Sequence, residues 1–175
     1  MVTLVLADDT CTLLNDEAEK PSPSLVKCYR HNISACCISA HDQHISNVYS
    51  SLFSDQCQRQ YIDMEDYMCY ACNPNQPEAI QGNTLRICES FAKRLWGGDL
   101  QKPSNDYDNC GMFAYWDDGS TILPSTYFPN AQAFFNTVKP PHFENYNIEI
   151  VKGDDDCFNG GKTLMLLLSL ILIFI

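Results

Sequence analysis

The sequence predicts a small, disulfide-rich α+β domain with three main helices, short strands and long loops. Two observations lead to this fold class. The 175-residue chain contains ten cysteines, nine of them between Cys11 and Cys110. Apolar residues recur at helical spacing between Ser39 and Trp96, whereas the chain after Gly98 is rich in Asp, Asn, Gly, Ser and Pro. A small domain with a modest core is commonly held together by disulfides in an oxidising compartment.

Two cysteines, Cys36 and Cys37, are adjacent in the chain. Consecutive Cα atoms are only about 3.8 Å apart, which disfavours a bond between neighbours. Each must therefore reach a different partner, and this ties three pieces of chain to one point. Zinc would also explain many cysteines, but Cys69-x-x-Cys72 has no second Cys-x-x-Cys at a partner distance. We therefore expect disulfides, and neither a metal nor a cofactor.

Apolar residues at spacings of three and four predict the first two helices. The first begins at Ser39 or Asp42, both of which are suitable N-caps. Its inward face consists of Ile45, Val48, Tyr49, Leu52 and Phe53. The second covers 56–70 and ends before Asn73-Pro74, because proline disfavours helical geometry in the residue before it. Its inward face consists of Cys57, Tyr61, Met64 and Met68.

The remaining elements follow the same kind of pattern. The third helix covers 85–96 and ends at Gly97-Gly98. Its inward face consists of Leu85, Cys88, Phe91, Ala92 and Leu95. Residues 99–130 are predicted to be irregular and 130–138 a short helix. Alternation predicts a strand through Tyr146, Ile148 and Ile150. The run at 154–156 is predicted to be a solvated acidic turn, since no Gly or Glu falls at the positions of an EF-hand.

The two ends of the chain fit a surface protein. Residues 1–7 are apolar and end in Val5-Leu6-Ala7, so we interpret them as the remnant of a signal peptide. Residues 164–175 are apolar except for Ser169. As a helix they would span about 18 Å, less than the roughly 30 Å hydrocarbon core. This pattern is typical of a glycosylphosphatidylinositol (GPI) attachment signal, with a short membrane tail as the alternative.

Two attachment sites compete. Asn159-Gly160-Gly161 supplies three small residues, whereas Gly153-Asp154-Asp155 leaves a longer spacer but removes Cys157. Retaining Cys157 keeps the cysteine count even, so we predict attachment at Asn159. The chain then divides into the signal remnant, an ectodomain over 8–158, and the attachment signal or membrane tail over 159–175.

Charge and modification narrow the functional class. The net charge of −11 disfavours binding to nucleic acid or to an anionic membrane surface. The sequon Asn32-Ile33-Ser34 predicts N-glycosylation at Asn32. The Cys69/Cys72 pair lies at a predicted helix end rather than at a helix start, where a redox-active thiol has its pKa lowered. A structural role is therefore expected for this pair.

One run is similar to the Cys-Cys-x-x-His-Asp run of secreted, calcium-dependent phospholipases, in which the His activates water and the Asp binds calcium. Here three residues, not two, separate Cys37 from His41, which Asp42 follows directly. One extra residue rotates a helical side chain by about 100°. The stretch upstream, from Ser24 to His31, also lacks the glycines of a calcium loop. We expect no enzyme, and a phospholipase-like activity is a remote alternative.

Several motifs occur in a recognisable order. They are Ser34-Ala-Cys36-Cys37, Tyr49, Asp55-Gln-Cys57, Cys69-Tyr-Ala-Cys72-Asn-Pro-Asn and Cys88-Glu-Ser-Phe. Over residues 11–96 the chain resembles the folate-receptor-like domain, which occurs in folate and riboflavin receptors, in the egg-surface fertilisation receptor and at the front of hedgehog-interacting protein. The resemblance implies the disulfides Cys11–Cys36, Cys28–Cys69 and Cys37–Cys72. For the other four cysteines we expect Cys57–Cys110 and Cys88–Cys157, with Cys57–Cys157 as the alternative.

The resemblance also implies a ligand site. Asp66 and Tyr70 stand where folate receptors carry the Asp that grips the pterin and a nearby Tyr, and a carboxylate suits the hydrogen-bonding edge of a pterin. Arg86 is the only basic residue in 73–87, where the family's Trp-Arg pair and second Arg are missing. Trp116 is a further candidate to line a pocket.

Together these features predict a GPI-anchored binding protein on the extracellular face of the cell membrane. We expect it to act as a protein-interaction or structural surface module, with a receptor for a small pterin- or flavin-like ligand as the alternative. The missing cations favour the module, because an anionic folate tail would meet a strongly acidic protein. The expected partners are an extracellular protein and, through the lipid anchor, the membrane.

Overall fold

A computed structural model describes residues 10–53, 55, 62–103, 112–113, 121–122 and 127–160, with the short segments 112–113 and 121–122 given by their backbone alone. The predictions for Cys57, Tyr61, Cys110 and Trp116, and for the chain ends at 1–9 and 161–175, lie outside these residues.

The described residues form an α+β domain in agreement with the predicted class. In chain order its elements are α1 (Ser39–Leu52), α2 (Ile62–Met68), β1 (Ile80–Gln81), β2 (Thr84–Cys88), α3 (Glu89–Trp96), β3 (Met112–Phe113), β4 (Thr121–Ile122), α4 (Ala131–Thr137) and β5 (Asn147–Val151). Short 3-10 turns lie at Tyr29–His31, Cys69–Cys72 and Gln76–Ala79. No helix in these ranges is long and apolar enough to cross a bilayer.

Helix α1 has the inward face that its periodicity predicts, but not the predicted caps. Its buried apolar residues are Ile45, Tyr49 and Leu52, followed by Phe53. The helix begins directly after the extended residue Ile38, so Ser39 is its first residue rather than its cap. Asp42 is not the cap either, because it is buried and bonds to the loop that precedes the helix. The ring Nδ1 of His41 accepts a hydrogen bond from the Ile38 N–H, at 3.4 Å.

Helix α2 and the turn at Cys69–Cys72 form the described part of the second predicted helix. Its inward residues Met64, Tyr67 and Met68 are buried. The backbone becomes extended at Asn73, immediately before proline, as the sequence predicts. All four residues of the turn are buried, which places both cysteines of the Cys69/Cys72 pair in the core.

The main sheet has the strand order β1-β2-β5. Strands β1 and β2 are antiparallel and are joined at Gly82, whose φ of 59° suits a residue without a Cβ. Strands β2 and β5 run parallel, with Leu85 opposite Ile148 and Ile87 opposite Ile150. Strand β5 confirms the strand predicted from the alternation after Tyr146.

The third helix is shorter than predicted. Helix α3 begins at Glu89, and residues 85–88, predicted to be its first turn, belong to strand β2. Leu85 and Cys88 match a helical face, but Leu85 and Ile87 match a strand face equally well. Because β2 bonds to strands on both sides, the strand is formed. The predicted stop is confirmed, since α3 ends at Gly97 with a left-handed φ of 86°.

Helix α4 confirms the short helix predicted at 130–138. The Asn130 side chain accepts a hydrogen bond from the Ala133 N–H at 2.9 Å and so caps the helix. Phe134 and Phe135 point into the core. The region 99–130, predicted to be irregular, contains the antiparallel pair β3–β4.

The chain after β5 returns to the sheet and closes the core. The Cys88 N–H donates to the Phe158 carbonyl at 3.0 Å, and the Phe158 N–H donates to the Arg86 carbonyl at 2.8 Å. The Phe158 ring is buried and packs edge-on against Phe91 and Tyr70. Residues 157–160 are therefore part of the folded domain.

Disulfides cross-link the described residues at four places. The pairs are Cys11–Cys36, Cys28–Cys69, Cys37–Cys72 and Cys88–Cys157. They confirm that the adjacent cysteines reach different partners, and they agree with four of the predicted pairs. The alternative Cys57–Cys157 is wrong, because Cys157 bonds to Cys88. The loops they close span 25 to 69 residues. Each closure stabilises the fold by roughly 3–4 kcal/mol on a chain-entropy account.

Candidate functional site

Asp66, the predicted pterin ligand, is bonded to another part of the protein. Its carboxylate accepts a hydrogen bond from the Arg30 guanidinium at 2.9 Å, and its side chain is 13% exposed. The ion pair joins α2 to the loop that precedes α1. The group that the resemblance assigns to a ligand is therefore engaged within the protein.

Tyr70, the second predicted ligand residue, is a core residue. Its ring is fully buried and lies edge-on against Phe143 and Phe158, with centroids 5.0 and 5.1 Å away. Its hydroxyl donates to the Gln76 carbonyl at 2.7 Å. Burial raises the pKa of Tyr70 well above its ordinary value. A ligand ring would reach this side chain only if the core opened.

Arg86, the third candidate, supports the C-terminal segment. Its guanidinium donates to the Asp156 carbonyl at 2.9 Å. The acidic turn at 154–156 is exposed as predicted, but it is not purely solvated, because Asp154 accepts hydrogen bonds from Ser90 and Asn159. The fourth candidate, Trp116, lies outside the described residues.

Two open clefts lie elsewhere on the described surface. The larger, of about 720 Å³, is lined by residues of both charges that include Glu89, Lys93, Gln132 and Lys152. The smaller, of about 390 Å³, is lined by residues that include Glu17, Pro74 and Glu78. Neither cleft is lined by Asp66, Tyr70 or Arg86, so the structure does not gather these three around either opening.

A buried carboxylate organises the loop before α1. Asp42 is 3% exposed, and one of its oxygens accepts the N–H groups of Val26 and Lys27 at 2.7 and 3.0 Å. Its other oxygen accepts the Cys28 N–H at 2.7 Å. Hydrogen bonds to an ionised acceptor are stronger than those between neutral groups. Asp42 thus fixes the path of three consecutive residues.

The same loop is closed by an asparagine. The side-chain oxygen of Asn32 accepts the Leu25 N–H at 2.6 Å, and its amide nitrogen donates to the Leu25 carbonyl at 3.0 Å. Both polar atoms of the amide are therefore bonded to one buried residue. We call residues 25–33, which Asp42 and Asn32 hold in this way, the clamped loop.

Four further contacts fix the clamped loop to the helices. The Cys28–Cys69 disulfide and the Arg30–Asp66 ion pair bind it to the end of α2. The Lys27 ammonium pairs with Glu65 at 3.4 Å and lies 3.7 Å from the centroid of the Tyr49 ring on α1. Desolvation by burial lowers the pKa of Lys27, against the opposing charge of Glu65.

Three apolar side chains of the clamped loop face solvent, whereas Leu25 is buried in the core. Val26 is 86% exposed, Ile33 88% and Tyr29 55%. Exposed apolar residues that lie together mark binding sites more often than isolated ones do. Sequence reasoning missed this feature because the three residues follow no period. The available signal was a polar lead-in with Pro21-Ser-Pro23, followed by apolar residues that join no predicted element.

A cluster of three histidines lies between α1 and the segment before β5. The His142 ring is 5.0 Å from His41 and 4.9 Å from His44, measured between centroids. Desolvation by burial and the neighbouring imidazoles lower the pKa values of His41 and His142. Within the described ranges, no group of three or more His, Cys, Asp or Glu residues is arranged to hold a metal ion.

Comparison with known proteins does not identify the family of this chain. No protein-family model matches the chain. No curated protein matches it either. The resemblance to the folate-receptor-like domain therefore depends on the order of the cysteines and the motifs around them.

Proposed function

We propose that this chain is an extracellular, lipid-anchored binding protein in which a folate-receptor-like, disulfide-linked scaffold presents a surface to another protein. The four described disulfides support an oxidising compartment, because such bonds persist outside the cytosol. They also support a binding role, because a rigid frame loses little conformational entropy on association.

The internal engagement of Asp66 and Tyr70 is the observation that carries the proposal. A pterin held by Asp66 would have to displace Arg30 from the carboxylate. A ring stacked on Tyr70 would have to separate it from Phe143 and Phe158. Both changes cost interactions that the free protein already has, which disfavours a small-ligand site at these residues.

The charge of the protein also disfavours an anionic small ligand at these residues. The protein has a net charge of −11, and an anionic vitamin tail would approach against this field. Arg86, the only cation of the segment between the close cysteine pair and Cys88, already donates to a backbone carbonyl.

The phospholipase-like alternative is disfavoured by the same kind of evidence. Asp42 is 3% exposed, and backbone N–H groups of the clamped loop take three of the roughly four acceptor sites of its carboxylate, which competes with calcium binding. The Nδ1 atom of His41 accepts the Ile38 N–H, and its ring packs against His142.

For the anchor, we retain Asn159 as the attachment residue. Attachment at Gly153 would remove Cys157 and the buried Phe158, and with them a disulfide and part of the core. Attachment at Asn159 keeps both. Arg94 donates to the side-chain oxygen and the carbonyl of Asn159, at 3.2 and 3.0 Å. This choice leaves almost no spacer between the attachment residue and the apolar tail at 164–175. We expect phospholipase C to release the protein from intact cells.

Equilibrium binding of folate, pteroate and riboflavin to the full chain tests the proposed function. We expect no saturable binding of any of the three. Asp66→Ala and the matched control Asp63→Ala, on the same helix, should then behave alike. Tight binding of one vitamin that is lost in Asp66→Ala and kept in Asp63→Ala would establish the small-ligand receptor instead.

A further inference from the structure

We propose that the clamped loop is the contact surface for a protein partner that offers an apolar concavity rimmed by lysine or arginine. This inference rests on the proposed function. It adds the face that binds and the chemistry of the surface that it meets.

The exposed apolar residues are concentrated in one segment. The large hydrophobic residues exposed in the described part of the chain are Val26, Tyr29, Ile33, Ile38, Ile62 and Tyr127. Four of these six lie within 26–38, a segment that also holds Cys28, Cys36 and Cys37. Apolar and aromatic side chains of this kind form the centres of protein interfaces, where partner contacts remove them from water.

The backbone that carries these side chains is fixed before any partner arrives. Asp42 accepts three consecutive N–H groups, Asn32 bonds twice to Leu25, and Cys28 is bonded to α2 through Cys69. Ordering a mobile loop is one of the main costs of association. A loop with this many internal anchors avoids most of that cost.

The charges next to the loop give the expected chemistry of the partner. Lys27 and Arg30, the two permanent cations of the loop, are paired with Glu65 and Asp66. Glu19 exchanges two backbone hydrogen bonds with Ala35, at 3.1 and 2.8 Å, so the segment before the loop lies beside the chain that follows Ile33. That segment is mainly acidic and exposed, with Asp16, Glu17 and Glu19 against Lys20. An apolar surface with an acidic rim is complementary to an apolar concavity with a basic rim.

The negative charge of the chain also disfavours two other partners for the clamped loop. A second copy of this chain would bring the same acidic rim and a net charge of −11 to the interface. An anionic membrane would be repelled for the same reason. A different protein, with cations around its binding site, fits both the apolar centre and the rim.

A glycan on Asn32 would cover this surface, because Asn32 lies between Tyr29 and Ile33. Its amide nitrogen carries two hydrogens, of which one is donated to the Leu25 carbonyl and the other is the one that a glycan would replace. The proposed contact therefore requires that Asn32 carry no glycan in the mature protein.

A phage-displayed library of random peptides, selected on the full chain, tests the proposal. We expect peptides that combine aromatic or aliphatic residues with lysine or arginine. Their affinity should fall by about tenfold or more in Ile33→Asp and in Val26→Asp, since central apolar contacts dominate interfaces. Ile62→Asp is the matched control, because Ile62 is exposed on α2 outside the loop. Glu19→Lys should weaken binding about fivefold, and added salt should slow association.

Three results of the peptide selection would overturn the inference: no peptide is recovered, the recovered peptides are acidic, or they bind Ile33→Asp and Val26→Asp as tightly as the unchanged chain. A protein mass that shows a glycan on Asn32 would also overturn it. Thermal unfolding checks that the variants fold, and Ile33→Ser replaces Ile33→Asp if the charge prevents folding. Vitamin binding to the unchanged chain separates the two proposals. Tight vitamin binding contradicts the proposed function, whereas loop-insensitive peptides without vitamin binding contradict this inference alone.

Discussion

At the scale of single residues, Asp42 shows how the context of a side chain changes its role. From the sequence, an Asp near a helix start is a candidate cap, and in a Cys-Cys…His-Asp run it is a candidate calcium ligand. In the structure it is buried and holds the N–H groups of Val26, Lys27 and Cys28. Its partners lie 14 to 16 residues earlier in the chain, so no local pattern indicates them.

Replacing Asp42 should destabilise the protein strongly. We expect Asp42→Ala to lower the free energy of unfolding by about 3 kcal/mol, because three N–H groups lose their acceptor. Asp42→Asn keeps one acceptor oxygen and should cost less. The exposed Asp155 gives the control, and Asp155→Ala should change stability by less than about 0.5 kcal/mol. Urea unfolding with the disulfides intact measures all three, and an Asp42→Ala variant as stable as the unchanged protein would show that the clamp is dispensable.

The sequon predicts that Asn32 carries a glycan. In the structure its side chain makes two hydrogen bonds to the backbone of Leu25. The contact proposed for the clamped loop requires Asn32 to carry no glycan. We therefore expect Ser34→Ala, which removes the sequon and keeps the Asn32 amide, to change the intact mass only by the substituted atom and to leave stability unchanged. Asn32→Asp loses the donor to the Leu25 carbonyl and should cost about 1–2 kcal/mol. A glycan-sized loss of mass in Ser34→Ala would contradict the clamp-only role of Asn32.

At the scale of elements, local periodicity predicts α1, α4 and β5, because each has several residues of one period and a clear boundary. It fails at 85–88, where the stretch is too short to separate a helical face from a strand face. The outcome there depends on β5 and on the Phe158 segment, which bond to the same stretch from more than 60 residues away in the chain. Non-local pairing of this kind is not visible in a local pattern.

The histidine cluster should make stability depend on pH. Desolvation and the neighbouring imidazoles lower the pKa values of His41 and His142. A hydrogen bond to the His41 backbone and the charge of Glu144, which also accepts the backbone N–H of His142, act to raise the pKa of His142. A group whose pKa is lowered on folding takes up a proton more readily when unfolded. The contribution of these two histidines to stability is therefore expected to be complete above the ordinary histidine pKa of about 6.5 and to decrease as the pH falls below it.

His31 extends the same dependence to lower pH. Desolvation by burial lowers its pKa to about 4, so its contribution should be lost progressively between pH 6.5 and 4. Urea unfolding at several pH values tests both sites. In His142→Asn the new residue tolerates the left-handed φ of 73°. We expect this variant to show a smaller change of unfolding free energy with pH below pH 6.5. His31→Gln should flatten the lower part of this pH dependence. A slope unchanged in both variants would show that other groups cause it.

The C-terminal segment should behave as part of the core. Phe158→Ala removes a buried ring that packs against Phe91 and Tyr70, and we expect a loss of about 3–4 kcal/mol. Phe158→Leu keeps most of the apolar volume and should lose less. Calorimetry or urea unfolding measures the difference. An alanine variant with unchanged stability would remove the structural objection to anchor attachment at Gly153.

At the scale of the whole molecule, the cysteines link the fold to the proposed function. Their number and order predict the compartment and the resemblance, and four predicted pairs are present. The ligand residues that the same resemblance implies are engaged within the protein. A scaffold can persist while its binding face changes, because disulfides and core residues fix the frame and exposed loops determine what is bound.

The most direct test of this account is the disulfide map of the native protein, obtained by stepwise reduction, alkylation and mass analysis. The account predicts Cys36 linked to Cys11 and Cys37 linked to Cys72, with Cys28–Cys69 and Cys88–Cys157 as separate bonds. Cys57–Cys110 is the remaining expectation. Three results would contradict this account: a free thiol at Cys36 or Cys37, a bond between these two neighbours, or a bond from Cys28 to a residue other than Cys69. In each case a different scaffold would hold the clamped loop.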